Sequence, residues 1–312
     1  MFPAIKNPVF LACLFAAVSS SQDRPAFRSN LELVTIPCAV VDAHGAPVTN
    51  LTREEFRIYD NDARRIVDHL WFDKDQSLTL GVIIDTSDSQ QEQVAEHRQT
   101  ALALLERLLR PGDRAFVISV GEDVRVWADV AGATAELRKQ LAADPGELVG
   151  APCPKRPATL SGVTPISTCG GSPLWNAIYD TARLKLRPLA GNKALLILTD
   201  GFDTGSTHTW RQAADEVDRA EASVYAIQYR SDLGGRFAPD LYRLLEESGG
   251  AWFGPPAGEY DNIVSRMEAD LRRRYVLGFR PDAARGKVRH DVRVEVTRPD
   301  LKVRARKAYF QQ

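Results

Sequence analysis

Four cysteines are spread over 312 residues without a single CxxC pair, which excludes a zinc ribbon and a thioredoxin-type redox centre. The chain also lacks GxxxxGK(S/T) and GxGxxG, so it encodes no phosphate or dinucleotide cradle. Neither HExxH nor GxSxG occurs, which removes the usual zinc-peptidase and serine-hydrolase readings. No excess of one charge exists: 40 Lys+Arg stand against 41 Asp+Glu, net −1, so bulk charge makes no case for a nucleic-acid partner. No apolar run reaches the roughly 20 residues that a membrane-spanning helix requires. What remains, 44% hydrophobic and 26% charged residues, is the composition of a soluble globular protein, neither disordered nor collagen-like.

The N-terminus reads as an export signal. Lys6 supplies a positive start, residues 8–18 (PVFLACLFAAV) an apolar stretch too short to span a bilayer, and Ser19, Ser20 and Ser21 small residues for cleavage near 20–22. Residues 1–21 are therefore expected to be removed, placing the mature chain in the periplasm, envelope or exterior. A lipoprotein reading through Cys13 would leave too short an apolar stretch before the cysteine. Export implies an oxidising compartment. Cys153 and Cys169 lie in one Pro/Gly/Ser/Thr-rich stretch, and a bridge between them would stabilise by about 3 kcal/mol in the chain-entropy picture. Two free loop thiols are the alternative. Cys38, in phase with Val34, Ile36 and Val40, reads as a core thiol.

Three blocks follow. Residues 30–75 are strand-like, with Thr52 and Glu55 placed to cap one helical turn and Asp60-Asn61-Asp62 marking a hairpin. Residues 77–274 alternate continuous apolar strands with amphipathic helices, the pattern of an open, mainly parallel α/β sheet with helices on both faces. Residues 275–312 return to period-2 strands, with Val288, Val292, Val294 and Val296 between charged neighbours. Neither flank has enough strands for its own core. The expected architecture is a small β-sandwich built from both flanks, with the α/β domain inserted between them.

Open α/β sheets bind ligands outside the carboxyl ends of their strands. Asp85-Thr86-Ser87-Asp88-Ser89 ends the first strand of the middle block, and Asp200 ends a later one in LLILTDG. Gly170-Gly171-Ser172-Pro173 opens a helix between them. Carboxylates and hydroxyls on loops at one sheet edge are the donor set of a hard divalent cation, and Mg²⁺, which keeps several waters, suits few direct protein ligands.

At these residues the chain resembles the von Willebrand factor A (VWA) domain and its metal-ion-dependent adhesion site. The likeness covers about 77–274. The opening strands with PVTNLTREEFRIYDN and the closing RYVLGFRP and KVRARKAYF extend it to the bacterial VWFA-related family of secreted proteins. The resemblance implies that Ser87 and Ser89 coordinate the metal directly and that Asp85 and Asp200 act mainly through waters. Ser172 stands where the family carries threonine. It keeps the hydroxyl but lacks the methyl that restricts χ1, and it also suits a helix N-cap with proline following. Asp88 fills a position often taken by glycine, and Asp203 and Thr204 are expected at the rim.

The expected cofactor is Mg²⁺, with Mn²⁺ or Ca²⁺ as variants. The expected partner is a protein offering an Asp or Glu carboxylate to the metal, with no nucleic acid and no membrane span. Without a catalytic motif, the chain reads as a binding module and not as an enzyme. Two alternatives stand beside it: a metal-dependent hydrolase using His208 as base, and an envelope module with a vestigial site. The other four histidines fall in polar contexts that suggest solvation. Charge is divided unevenly: residues 264–312 hold 14 Lys/Arg and 6 Asp/Glu, net +8, leaving 26 − 35 = −9 for the rest. The basic strand Lys302, Arg304, Arg306 and Lys307 reads as a wet β-face or a surface for anionic polymer, and Arg272-Arg273-Arg274 as a helix end.

Overall fold

The alternation of apolar and polar residues in the first block yields four strands: β1 (Val34–Val41), β2 (Phe56–Asp60), β3 (Ala63–Arg65) and β4 (His69–Asp73). The computed structural model describes residues 33–73, 76–121, 123–130, 134–145, 172–229, 238–256, 258, 260–281 and 289–311. A short 3-10 turn (Arg53–Glu55) precedes β2, and the Thr52 N–H donates to the Glu55 carboxylate at 2.8 Å, as the sequence suggested. Asn61 and Asp62 adopt φ of 47° and 63°, the paired positive values of a tight hairpin turn that Asn and Asp tolerate. Only β3 returns along β2, whereas β4 crosses to a different sheet.

The middle block gives β5 (Leu78–Asp85), α1 (Val94–Leu108), β6 (Arg114–Val120), β7 (Val124–Val130), α2 (Thr134–Ala142) and α3 (Leu174–Asp180). It continues with β8 (Asn192–Thr199), α4 (Trp210–Ala220), β9 (Ala222–Gln228), α5 (Pro239–Glu247), β10 (Trp252–Phe253) and α6 (Asp261–Arg272). The strands line up as β10-β9-β8-β5-β6-β7, parallel except for β7. Every residue of β5 and β8 is buried, because helices cover both faces. Leu80, Val82 and Ile84 pack with Leu104 and Leu108 of α1 and Met267 of α6. Ile83 packs on the other side with Ile178 of α3, Val217 of α4 and Leu244 of α5. Burying each such side chain is worth about 1.5–3 kcal/mol, which explains the uninterrupted apolar runs.

The sequence offered no strand between β6 and α2, yet β7 lies there, antiparallel at the sheet edge. Its register shifts between Val117 and Ile118, so Val117 faces Ala128 and Ile118 faces Val126. Trp127 is the extra residue of this bulge, which breaks the period-2 signal. The helix expected over 91–109 begins as a 3-10 turn (Asp88–Gln93). The one expected over 174–186 passes from α into a π-helical stretch (Thr181–Leu186).

The last block forms β11 (Arg274–Phe279), β12 (Arg289–Val296), β13 (Lys302–Ala305) and β14 (Ala308–Phe310). Strands from both flanks interleave in two sheets, β13-β1-β11-β4 and β14-β12-β2-β3. Ile36, Phe56, Ile58, Tyr275, Leu277, Phe279, Val292 and Tyr309 fill the space between them. This is the sandwich expected from the sequence. Cys38 sits in the same core at 1% exposure, and burial pushes its thiol up to about 12. The thiolate is the reactive form. Native protein at pH 8 is therefore expected to leave Cys38 unmodified by iodoacetamide, with labelling appearing on denaturation, as mass spectrometry would show.

Two sequence readings need correction here. Arg272, Arg273 and Arg274 do not all end a helix: α6 stops at Arg272, and Arg274 already begins β11. The basic strand is a wet face only in part: Lys302 and Lys307 are exposed, whereas Arg304 and Arg306 are largely buried. Arg304 grips both carboxylate oxygens of Asp270 on α6 at 2.8 and 2.6 Å, Arg306 pairs with Glu221 at 3.1 Å, and Lys307 with Glu246 of α5 at 2.6 Å. The basic segment and the acidic α/β body meet through these pairs. Among the described residues no helix is long and apolar enough to cross a membrane.

Candidate metal centre

The sheet order reverses at β5. The chain moves outward to β6 on one side, and β8 lies on the other. A crevice opens outside the strand ends at such a switch point. Asp85 ends β5 on one side of it, and Asp200 follows β8 on the other. Both carboxylates are enclosed, at 0% and 2% exposure.

Neutral donors surround Asp85. Its Oδ1 accepts the Ser87 N–H at 3.0 Å and the Ser87 hydroxyl at 2.6 Å. Its Oδ2 accepts the Thr199 hydroxyl at 2.7 Å and the Ser172 hydroxyl at 3.2 Å. Burial pushes its pKa above the usual carboxylate range, the hydrogen bonds from Ser87 and Thr199 act against that, and the charge of Asp200 adds to it. Asp200 accepts the Phe202 N–H at 3.1 Å on Oδ1 and the Gln90 side-chain amide at 3.1 Å on Oδ2. Gly201, at φ 87°, turns the chain away and donates its N–H to the Thr199 hydroxyl at 2.9 Å, a backbone conformation suited to glycine.

The structure thus brings four of the sequence-derived residues together: Asp85, Ser87, Ser172 and Asp200. The Ser172 hydroxyl does not cap helix α3 as its alternative reading required. Pro173 holds the cap position, and the Ser172 hydroxyl turns to Asp85. Asp203 and Thr204, expected at the rim, act as a clasp. Thr204 receives the Ser172 N–H on its hydroxyl and donates its own N–H to the Ser172 carbonyl, both at 2.9 Å. Asp203 accepts the Trp175 N–H at 3.1 Å and the Ser206 hydroxyl at 2.5 Å, and burial raises its pKa. Asp88 and Ser89 stand in the 3-10 turn (Asp88–Gln93); their side chains lie outside what the structure describes. Cys153, Cys169, Gly170, Gly171 and the export segment 1–21 also lie outside the described residues.

Three members of the site were not picked out from the sequence. Thr199 directly precedes Asp200 and holds both Asp85 and the Gly201 N–H. Gln90 bridges the 3-10 turn to Asp200. His97 lies beneath the site at 0% exposure, its Nδ1 3.2 Å from the Asp85 carbonyl and its ring 4.0 Å from that of Tyr229. Burial pulls its pKa down to about 4, so it is neutral at pH 7. His290 is also buried and pairs with Asp60 at 2.8 Å, so neither histidine is solvated as expected. Only the order of the residues in LLILTDG hinted at Thr199. His208, the base of the hydrolase alternative, shares the Asn176 side-chain oxygen at 3.0 Å and stacks on Tyr179.

Among the described residues no three His, Cys, Asp or Glu side chains form a metal site by themselves. A cation held here would depend on the hydroxyls beside Asp85 and Asp200. That donor set, all oxygen with two carboxylates, fits Mg²⁺ in kind.

Neither a protein-family profile nor a curated protein matches the sequence. Among solved structures, proximal thread matrix protein 1 of the mussel byssus is similar at TM-score 0.47 and 12% identity. The match covers 66% of this chain and 50% of that one, so this chain spans about half the length of the byssus protein. The conserved hypothetical protein BatB of Bacteroides thetaiotaomicron is similar at TM-score 0.41 and 13% identity, over 62% of this chain and 96% of that one. An aerotolerance-related membrane protein of Bacteroides fragilis follows at TM-score 0.38 and 14% identity, with the same coverage. Likenesses this distant carry neither a family nor an activity to this chain.

Proposed function

We propose that the chain is an exported adhesion or scaffold module of the VWA type, which binds a divalent cation at the Asp85–Asp200 crevice and through it an acidic side chain of a partner protein. The observation that carries this reading is the pair of enclosed carboxylates at the switch point. The partners recorded for Asp85 among the described residues are hydroxyls and a backbone N–H, none of them basic. An anion buried without a counter-charge is costly, and a cation at the crevice would offset that cost.

In this reading Ser87, Ser89 and Ser172 offer hydroxyl oxygens to Mg²⁺, and Asp85 and Asp200 supply the negative charge. A bound divalent cation would act as the acceptor for a partner carboxylate. Thr199 keeps Asp85 oriented, Gln90 does the same for Asp200, and Thr204 holds the Ser172 backbone. Loops at the strand ends would set which partner fits.

Calorimetric titration of Mg²⁺ into metal-free protein tests the proposal. Wild type is expected to show saturable one-site binding, and Asp85→Ala none. Identical isotherms for the two proteins would overturn it. Adding an Asp-containing peptide, with and without EDTA, then tests the partner chemistry: chelation is expected to abolish its binding.

A further inference from the structure

A cavity of about 580 Å³ lies between one side of the β-sandwich and the helices α4 and α5, within the ~300–1,000 Å³ typical of small-ligand sites. It lies where β12 and β13, in different sheets, part beyond the single backbone bond from the Val292 N–H to the Lys307 carbonyl at 2.8 Å. Its floor is apolar: Val294 of β12 and Val303 and Ala305 of β13, each partly buried, with the core residue Val292 beneath them at 3% exposure. Tyr59 of β2 adds an aromatic wall.

Its mouth is rich in guanidinium groups. Arg211, Arg289, Arg293, Arg306 and Lys307 line it with Asp62, Glu247 and Asp291, and Asp215, Asp218, Glu221, Glu246 and Glu295 pair with those cations from outside the lining.

The five cations are of two kinds. Arg289 and Arg306 are anchored from behind. Arg306 is 8% exposed, donates to the Thr35 carbonyl at 2.8 Å and pairs with Glu221. Arg289 lies 3.6 to 3.9 Å from Asp215 and Asp218 of α4 and Glu247 of α5, besides its neighbour Asp291. Arg211, Arg293 and Lys307 are half-exposed. Arg293 pairs with the exposed Asp62 and Glu295 and Lys307 with the exposed Glu246, pairs that contribute only about 0–1 kcal/mol each, whereas Arg211 shares the less exposed Glu247 with Arg289. An incoming anion can take over the Arg293 and Lys307 donors at little cost. Arg293 is held over the Tyr59 ring at 4.1 Å, which limits the rotamer freedom it would lose on binding.

We propose that this cavity binds a small amphipathic anion, with a carboxylate or phosphate head at the arginine mouth and an alkyl or aromatic body on the valine floor. Guanidinium groups recognise both heads in the same forked manner, so the head's identity is left to experiment. This site shares no residue with the Asp85–Asp200 crevice and does not depend on metal.

The test is calorimetry on the full chain with octyl phosphate, octanoate, octanol and inorganic phosphate, the amphiphiles kept below their micelle concentrations. At least one of the two anionic amphiphiles is expected to bind at one site, with octanol and inorganic phosphate at least about tenfold weaker, because each lacks one half of the recognition. Arg293→Glu and Lys307→Glu, both at half-exposed positions, are each expected to weaken binding by about tenfold or more. Their thermal unfolding midpoints should stay near wild type, which separates lost binding from lost folding. The proposal fails if neither amphiphile gives saturable heat, or if neither charge reversal changes the affinity. It also fails if octanol or inorganic phosphate binds as tightly as the amphiphiles, since the site would then be a bare apolar patch or a bare anion site.

Discussion

Saturating Mg²⁺ is expected to raise the thermal unfolding midpoint, by an amount that grows with pH. At a free concentration a hundredfold above Kd, a ligand that binds only the folded state stabilises it by about 2.7 kcal/mol. For a chain this large, that corresponds to a midpoint shift of about 4 °C. The pH dependence follows from Asp85. Burial raises its folded pKa above the unfolded value, so without metal the folded state holds the proton more tightly. That contribution to stability is present at low pH and is lost as pH rises through the folded pKa. A cation at the crevice favours the carboxylate and opposes this loss. The midpoints with and without Mg²⁺ should therefore converge at pH values well below the raised folded pKa of Asp85 and diverge as pH rises toward and through it. Asp85→Ala should remove both the metal-free decline attributable to this group and the gap. Scanning calorimetry between acid and neutral pH measures both, and a gap unchanged by the substitution would refute the assignment.

Asp113→Ala is expected to be strongly destabilising although it lies far from the crevice. Asp113, 3% exposed, stands in the turn before β6 and accepts the N–H groups of Leu78 at 2.8 Å and Arg110 at 2.7 Å. It also pairs with Arg272 at the end of α6, which is 7% exposed and donates to the Leu108 carbonyl at 2.8 Å. One carboxylate thus ties the start of β5, the turn after α1 and the last turn of α6. Its removal leaves a buried guanidinium without its counter-charge, at a cost of about 3–5 kcal/mol. The double variant Asp113→Ala/Arg272→Met should recover part of that loss, because no buried charge is then stranded, with a coupling of about 0.5–3 kcal/mol. Urea unfolding of the two singles and the double measures it. A cost below about 1 kcal/mol for Asp113→Ala would mean that the pair is solvated.

Much of the crevice was legible in the sequence because each half of it is local. A strand that ends in Asp and then offers Ser87 needs only its own apolar run to be recognised, and LLILTDG repeats that form. Ser172 was legible as a hydroxyl before a helix, but its two readings could be separated only by its neighbours. The choice depended on Asp85, 87 positions away in the chain. Gln90 and His97 carry no mark in the sequence, since a glutamine in a polar turn and a histidine on a helix are ordinary until β8 and β9 stand beside them. β7 escaped for a different reason: its bulge at Trp127 removes the alternation by which an edge strand is recognised.

By itself the sequence determined the open α/β sheet, the strand-rich flanks and the carboxylates at two strand ends. Burial on both faces forces continuous apolar runs, and loop chemistry is local. Only the tertiary structure decided what the charges do. The net charge near zero conceals a basic C-terminal segment and an acidic body that close on each other through Arg304–Asp270, Arg306–Glu221 and Lys307–Glu246. It likewise decided where the two sheets part between β12 and β13, leaving a cavity lined by guanidinium groups beside α4 and α5. Periodicity reports which residues are buried, whereas pairing between distant strands and helices decides what they are buried against.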